Sequence, residues 1–284
     1  MQGADNAALL KDLGCIGLVL AAAALALSPL VVVITRRLFP GRNVVFRRWG
    51  FSHIAALIVC IAVVLVLATR LFPIAEGENG LVPGLERMAC ALGAAALMCA
   101  WFARKLEPDG IRALGFPAGR QTEAALAGVT CYVLLLPGLV GLMLAWTWIL
   151  KCIDPSAGAQ PALQMALELA PGQRWPAVLL GVLLLPFLEE LLFRAFLQPL
   201  LVQNLHDRPG IAITALVFAL LHGTAASVPI FAFALLLGSL MLRTQRLAAV
   251  WSVHALHNAL VFTTVFWFPK AVPMLQGHGL LWFF

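Results

Sequence analysis

The chain has 284 residues, of which 62% are hydrophobic and 11% charged. A soluble domain carries about 25% charged residues, so the composition excludes a soluble globular protein and predicts an all-α, polytopic transmembrane bundle of about eight helices. The net charge of +6 does not point to nucleic acid, because the basic residues follow the connecting loops.

Apolar runs near the roughly 17–25 residues that a bilayer needs are expected at 13–34, 51–69, 88–103, 124–150, 176–204, 210–223, 228–242 and 247–268; the third, sixth and seventh are short for full spans. Arg36, Arg37, Arg42, Arg47 and Arg48 follow the first run, and Arg104, Lys105, Arg112 and Arg120 the third. Arg208 follows the fifth, and Arg243 and Arg246 the seventh. One alternating set of loops thus holds twelve of the nineteen Lys and Arg residues. The positive-inside rule places these loops in the cytoplasm and both termini outside. The expectation is a multi-pass protein of the plasma (inner) membrane.

No signal peptide is expected, because the strong positive charge comes after the first apolar run rather than before it. Five of the six cysteines fall within apolar runs and none forms a CxxC pair, so they read as small packing residues. The Gly/Pro-rich stretch from Leu106 to Arg120 divides residues 1–105, three spans without an assignable role, from residues 106–284, which hold all the chemically suggestive side chains. Pro161 to Ala170, in the long loop after the fourth run, reads as a short interfacial helix or a plain connection.

Three polar segments interrupt the apolar text. In Glu189-Glu190-Leu-Leu-Phe-Arg194, Glu190 and Arg194 are four residues apart and can pair on one helix face. Glu189 points about 100° away and is left to face something else. A charge at membrane depth is expensive unless paired or facing a polar cavity, so this cluster is a candidate functional site. In Phe218-Ala-Leu-Leu-His222, the histidine supplies an imidazole of the kind that joins a carboxylate in activating water. In His254-Ala-Leu-His257-Asn258, His254 and Asn258 share a face and can direct N–H groups at one point, as an oxyanion requires. His257 reads as a helix-packing residue. Counted at about 1.5 Å per residue from the nearest basic loop, His254 lies about 10 Å deep, Asn258 about 16 Å, and His222 and Glu189 about 20 Å. The four are therefore expected to meet in one cavity, and the shallow His254 suggests that it opens toward the cytoplasmic half of the bilayer.

These three motifs, in this order, resemble the CAAX-protease and bacteriocin-processing family of intramembrane glutamic endopeptidases, whose signature is Glu-Glu-x-x-x-Arg, Phe-x-x-x-His and His-x-x-x-Asn. The likeness covers about residues 110–268, with Phe-Arg-Ala195 standing where Phe-Arg-Gly is usual. It implies a water activated by Glu189 with His222, an oxyanion hole of His254 and Asn258, and support from Glu190 and Arg194. It implies no metal and no cofactor. The partners would be the lipid bilayer and a peptide or protein substrate, with membrane-anchored proteins among the candidates and no nucleic acid.

Competing readings are a zinc protease using Glu189, His222 and His254 or His257, and a non-catalytic membrane scaffold or immunity protein. A serine protease lacks its Gly-x-Ser-x-Gly elbow, and a proton-coupled transporter lacks the expected repeat symmetry.

Overall fold

The computed structural model describes residues 2–39, 46–154, 165–223 and 226–267. Among these residues the fold is helical without strands. The elements are α1 (Gln2–Leu38), α2 (Phe51–Leu71), α3 (Leu81–Leu106), α4 (Gln121–Ile153), α5 (Pro171–Leu205), α6 (Asp207–Leu221), α7 (Ser227–Thr244) and α8 (Leu247–Trp267). Seven of them are long and apolar enough to cross a membrane.

The sixth expected span is the exception. With 15 residues, α6 reaches about 22 Å at 1.5 Å per residue, short of a hydrocarbon core about 30 Å thick. It packs against α7, and the chain reverses between them near Gly223, whose φ of +87° suits glycine. His222 caps the end of α6, so the short helix ends on a polar side chain held inside the bundle. The third helix starts at Leu81, seven residues before the expected 88. Asn79 fixes that start: its Oδ1 accepts the Leu81 N–H at 3.0 Å, and its Nδ2 donates to the Met165 carbonyl at 2.6 Å. Of the expected interfacial segment, residues 161–164 lie outside the described residues. Ala166 and Leu169 are buried among Leu81, Phe262 and Phe266 rather than lying on a surface.

The main core joins α3, α4, α5, α7 and α8 through side chains such as Cys99, Tyr132, Leu188, Leu237 and Val253. Two connections hold the helix depths. The Leu247 N–H, at the first residue of α8, donates to the Gly115 carbonyl in the α3–α4 linker at 2.9 Å. Gly115 sits at φ +90°, and a Cβ there would meet the Leu247 nitrogen at 2.9 Å. Before α2, Trp49 stacks on Phe196 of α5 (centroids 4.5 Å apart, 6° between planes) and donates its Nε1–H to the Phe196 carbonyl at 3.0 Å.

Helix α5 is not uniform. Two π-helical stretches, Leu179–Leu184 and Leu191–Leu197, bracket the α-helical Leu185–Glu190. Each ends two residues before a proline, with Leu185 standing before Pro186 and Gln198 before Pro199. A proline ring clashes with the carbonyl four residues back and has no N–H to donate. The wider turn relieves the clash, and π-bulges of this kind recur at functional sites.

Candidate active site

Glu189 lies near the middle of α5 and Asn258 near the middle of α8. A cavity of about 170 Å³ between these helices is walled by Glu189, His222, His254, His257 and Asn258, with apolar sides that include Leu85, Phe218, Ile230 and Phe233. The four residues expected to meet are thus brought to one cavity from α5, the end of α6, and α8. That volume holds several waters, each of which takes about 30 Å³ of liquid.

Glu190 and Arg194 are fully buried, and the Arg194 Nε–H donates to Glu190 Oε2 at 3.0 Å. The i,i+4 spacing makes this pair, as expected. Sequence did not show its continuation: the other Glu190 oxygen accepts the His254 Nδ1–H at 2.9 Å. His254 Nε2 then lies 3.8 Å from Glu189 Oε2. The chain Arg194–Glu190–His254–Glu189 therefore links α5 to α8, and Glu190 orients the histidine instead of pairing within its own helix alone. Glu189, with 20% of its side-chain surface accessible, is the carboxylate that faces the cavity.

His222 donates its Nδ1–H to the Phe218 carbonyl at 2.8 Å, one turn back. In a neutral ring this tautomer leaves the lone pair on Nε2. Asn258 donates through Nδ2 to the Gly181 carbonyl at 2.8 Å. The amide carries a second N–H, and Asn258 is on the cavity wall.

Phe218, quoted in the second motif without a role of its own, packs at the centre. The Arg194 guanidinium lies 5.0 Å over its ring, His222 is 4.5 Å from it and His254 5.9 Å. The terminal nitrogens of Arg194 find no hydrogen-bond partner among the described residues, and the aromatic face takes that place electrostatically. Phe233 of α7 similarly touches His254 at 5.6 Å and stacks on His257 at 4.5 Å. His257 Nδ1 and the Tyr132 hydroxyl share a hydrogen bond of 2.9 Å, so His257 does bind a neighbouring helix, yet it also faces the cavity. Tyr132, the chain's one tyrosine, gave no signal in sequence because nothing there placed α4 beside α8.

The cavity does not lie where the depth count from the basic loops pointed. Leu81 and Leu85 begin α3, whose last turn holds Arg104 and Lys105. Ile230 and Phe233 begin α7, whose last turn holds Arg243. Phe262 is near the end of α8, which starts just after Arg246. The walls thus run from mid-bundle toward the end opposite the basic loops. A count along α8 locates His254 but says nothing of the helices that close the cavity on either side, and these decide where it opens.

No three His, Cys, Asp or Glu side chains among the described residues are grouped to hold a metal ion. The arrangement defines a class: a polytopic helical membrane protein with carboxylate, imidazole and amide groups on one cavity near the middle of its helices. A family model described as "Type II CAAX prenyl endopeptidase Rce1-like" matches residues 171–260, from the first residue of α5 into α8. That segment contains all three motifs and agrees with the resemblance drawn from them. It supports an intramembrane endopeptidase of the CAAX type and leaves α1 to α4 outside the match. No curated protein and no solved structure matches the chain.

Proposed function

We propose that the chain hydrolyses a peptide bond within the membrane by a metal-independent, glutamate-based mechanism. The supporting observation is the meeting of Glu189, His222, His254 and Asn258 on one cavity wall. Glu189, aided by His222, takes a proton from a water that attacks the peptide carbonyl. The C–O bond forms as the carbonyl π electrons move to oxygen, giving a tetrahedral oxyanion. His254 and Asn258 donate to that oxyanion. The proton then passes to the leaving amine as the C–N bond breaks, and no acyl-enzyme forms.

The geometry adds a requirement for His254. Its Nδ1–H is committed to Glu190, so donation through Nε2 requires the imidazolium. With His254 charged, Glu189 and Glu190 balance Arg194 and His254, and the buried set is electroneutral, the condition under which ionised groups are tolerated in a bilayer. Glu190 and Arg194 are support residues in this scheme. The substrate is a peptide or protein segment that enters from the bilayer or from the side opposite the basic loops. With those loops cytoplasmic, this is the outer face.

Two experiments test this reading. Cleavage of a peptide library by purified protein should withstand strong chelators and serine or cysteine protease reagents, and should vanish in Glu189→Ala while folding persists. Inhibition by 1,10-phenanthroline that added zinc reverses would replace it with the metalloprotease reading, and turnover that survives Glu189→Ala would remove the glutamate from the mechanism. For the side of access, single cysteines at Leu85 and Ile230 in a cysteine-free background should react with an impermeant thiol reagent from the outer face. Reaction from the cytoplasmic face alone reverses the assignment.

A further inference from the structure

We infer that Pro186 is a positioning residue: the π-bulge it imposes on α5 turns Glu189 into the cavity and supplies the carbonyl that anchors Asn258. The part concerning catalysis rests on the function proposed above; the part concerning helix register does not.

In an α-helix the carbonyl of residue i accepts from the N–H of residue i+4, and in a π turn from that of residue i+5. The Leu185 N–H donates to the Leu180 carbonyl, five residues back. The α-helical donor for Gly181 is therefore spent on its neighbour. The π-helical donor for Gly181 is residue 186, which is proline and has none. A buried carbonyl without a partner is costly, and Asn258 Nδ2 fills the gap at 2.8 Å. Trp251, seven residues before Asn258 and so on the same face of α8, donates Nε1–H to the Leu183 carbonyl at 3.0 Å in the same bulge. Gly181 permits this approach: a Cβ there would meet the Phe262 ring of α8 at 2.7 Å.

The bulge also sets azimuth. A π-bulge absorbs one extra residue in about the same axial advance. Without it, residues after the bulge turn by about 100° relative to those before it. Glu189 is three residues past Pro186, and Glu190 must keep its bond to His254. Closing the bulge moves Leu188, now buried in the core, to the place that Glu189 holds. Phe193 and Gln198 repeat the five-residue bond ahead of Pro199, but that second bulge follows both glutamates and aims Arg194 rather than Glu189.

The test uses full-length protein in a cysteine-free background, with a single cysteine at 189 or at 188 and a small aqueous thiol reagent, and it needs no substrate. With Pro186 present, the cysteine at 189 reacts and the one at 188 is protected. In Pro186→Ala, which restores an N–H, reaction at 189 should fall roughly tenfold, leaving access by local opening, while reaction at 188 rises. Pro186→Ala combined with deletion of the half-exposed Leu184 removes the extra residue together with its cause, and it should return the 189-reactive, 188-protected pattern. Pro186→Gly also restores the N–H and replaces Pro186→Ala should the latter not accumulate. On an otherwise native background with Glu189 in place, Pro186→Ala should lower cleavage roughly a hundredfold through misplacement, and the Leu184 deletion should recover part of it. Unchanged labelling in Pro186→Ala, or a deletion variant that fails to restore it, overturns the inference. If Glu189→Gln retains full cleavage, the protease mechanism fails while the labelling result still decides the register.

Discussion

Two helix seams in this bundle are built on opposite principles. Where α1 crosses α4, Gly17 and Gly141 face each other so closely that a Cβ on Gly141 would strike the Gly17 carbonyl oxygen at 2.5 Å, and a Cβ on Gly138 would overlap Ala24. Lipid tails are as apolar as leucine, so close backbone approach and dispersion hold this seam. Where α5 meets α8, polar contacts cross the seam beside the apolar ones: Glu190 to His254, Gly181 to Asn258 and Leu183 to Trp251. The first seam runs along helices that stay α-helical through Pro29 and Pro137 and, among the described residues, buries no charge. The second accepts two π-bulges and a four-residue ionic chain. On the proposed function, the difference marks where the molecule places chemistry: a seam that only holds helices together can be small and apolar, whereas a seam that hosts a reaction carries unmatched backbone groups and charges that the partner helix must satisfy.

Breaking the polar seam at its exposed carboxylate should have the largest effect. Glu189→Gln is expected to lower turnover by about 10²–10⁴, the usual share of a general base. Thermal unfolding in detergent should not move, because Glu189 is the partly accessible member of the chain. At the buried end the consequence reverses. Arg194→Ala removes the cation that Glu190 pairs with on α5, leaving two carboxylates against the one His254 imidazolium, and should destabilise the fold by about 3–5 kcal/mol, as loss of one partner of a buried pair does, read as a lower unfolding temperature. Normal stability with lost turnover in that variant would instead place Arg194 in the chemistry.

The apolar seam should respond only through packing. Gly141→Leu forces α1 away from α4 at a cost of about 1–3 kcal/mol, the range for overpacking. Proteolysis within α1 should then accelerate, while labelling of a cysteine at 189 stays as it was. A change at 189 would show that the two seams are coupled. The smallest effect is expected between them. Tyr132→Phe removes the hydroxyl that meets His257 and should shift stability by about 0.6 kcal/mol, the mean for hydrogen bonds between helices in a membrane.

Membrane insertion, the helical class and the three polar motifs were legible because each depends on residues near one another in the chain. Apolar run length decides whether a segment spans, and a spacing of four decides whether Glu190 can reach Arg194. The match of residues 171–260 to the Rce1-like family falls on those same motifs. The pairing of Glu190 with His254, the contact of Tyr132 with His257 and the packing of Phe218 against three polar side chains needed helix neighbours, which no local spacing encodes. The same holds for the cavity's direction. His254 can be counted from a basic loop, but the beginnings of α3 and α7 form the walls. Pro186 and Pro199 stood in the text as visible interruptions of an apolar run. What Pro186 does to the backbone became definite only with α8 in place, because the Gly181 carbonyl that proline leaves without a donor persists in a bilayer only where another helix can satisfy it, as Asn258 does.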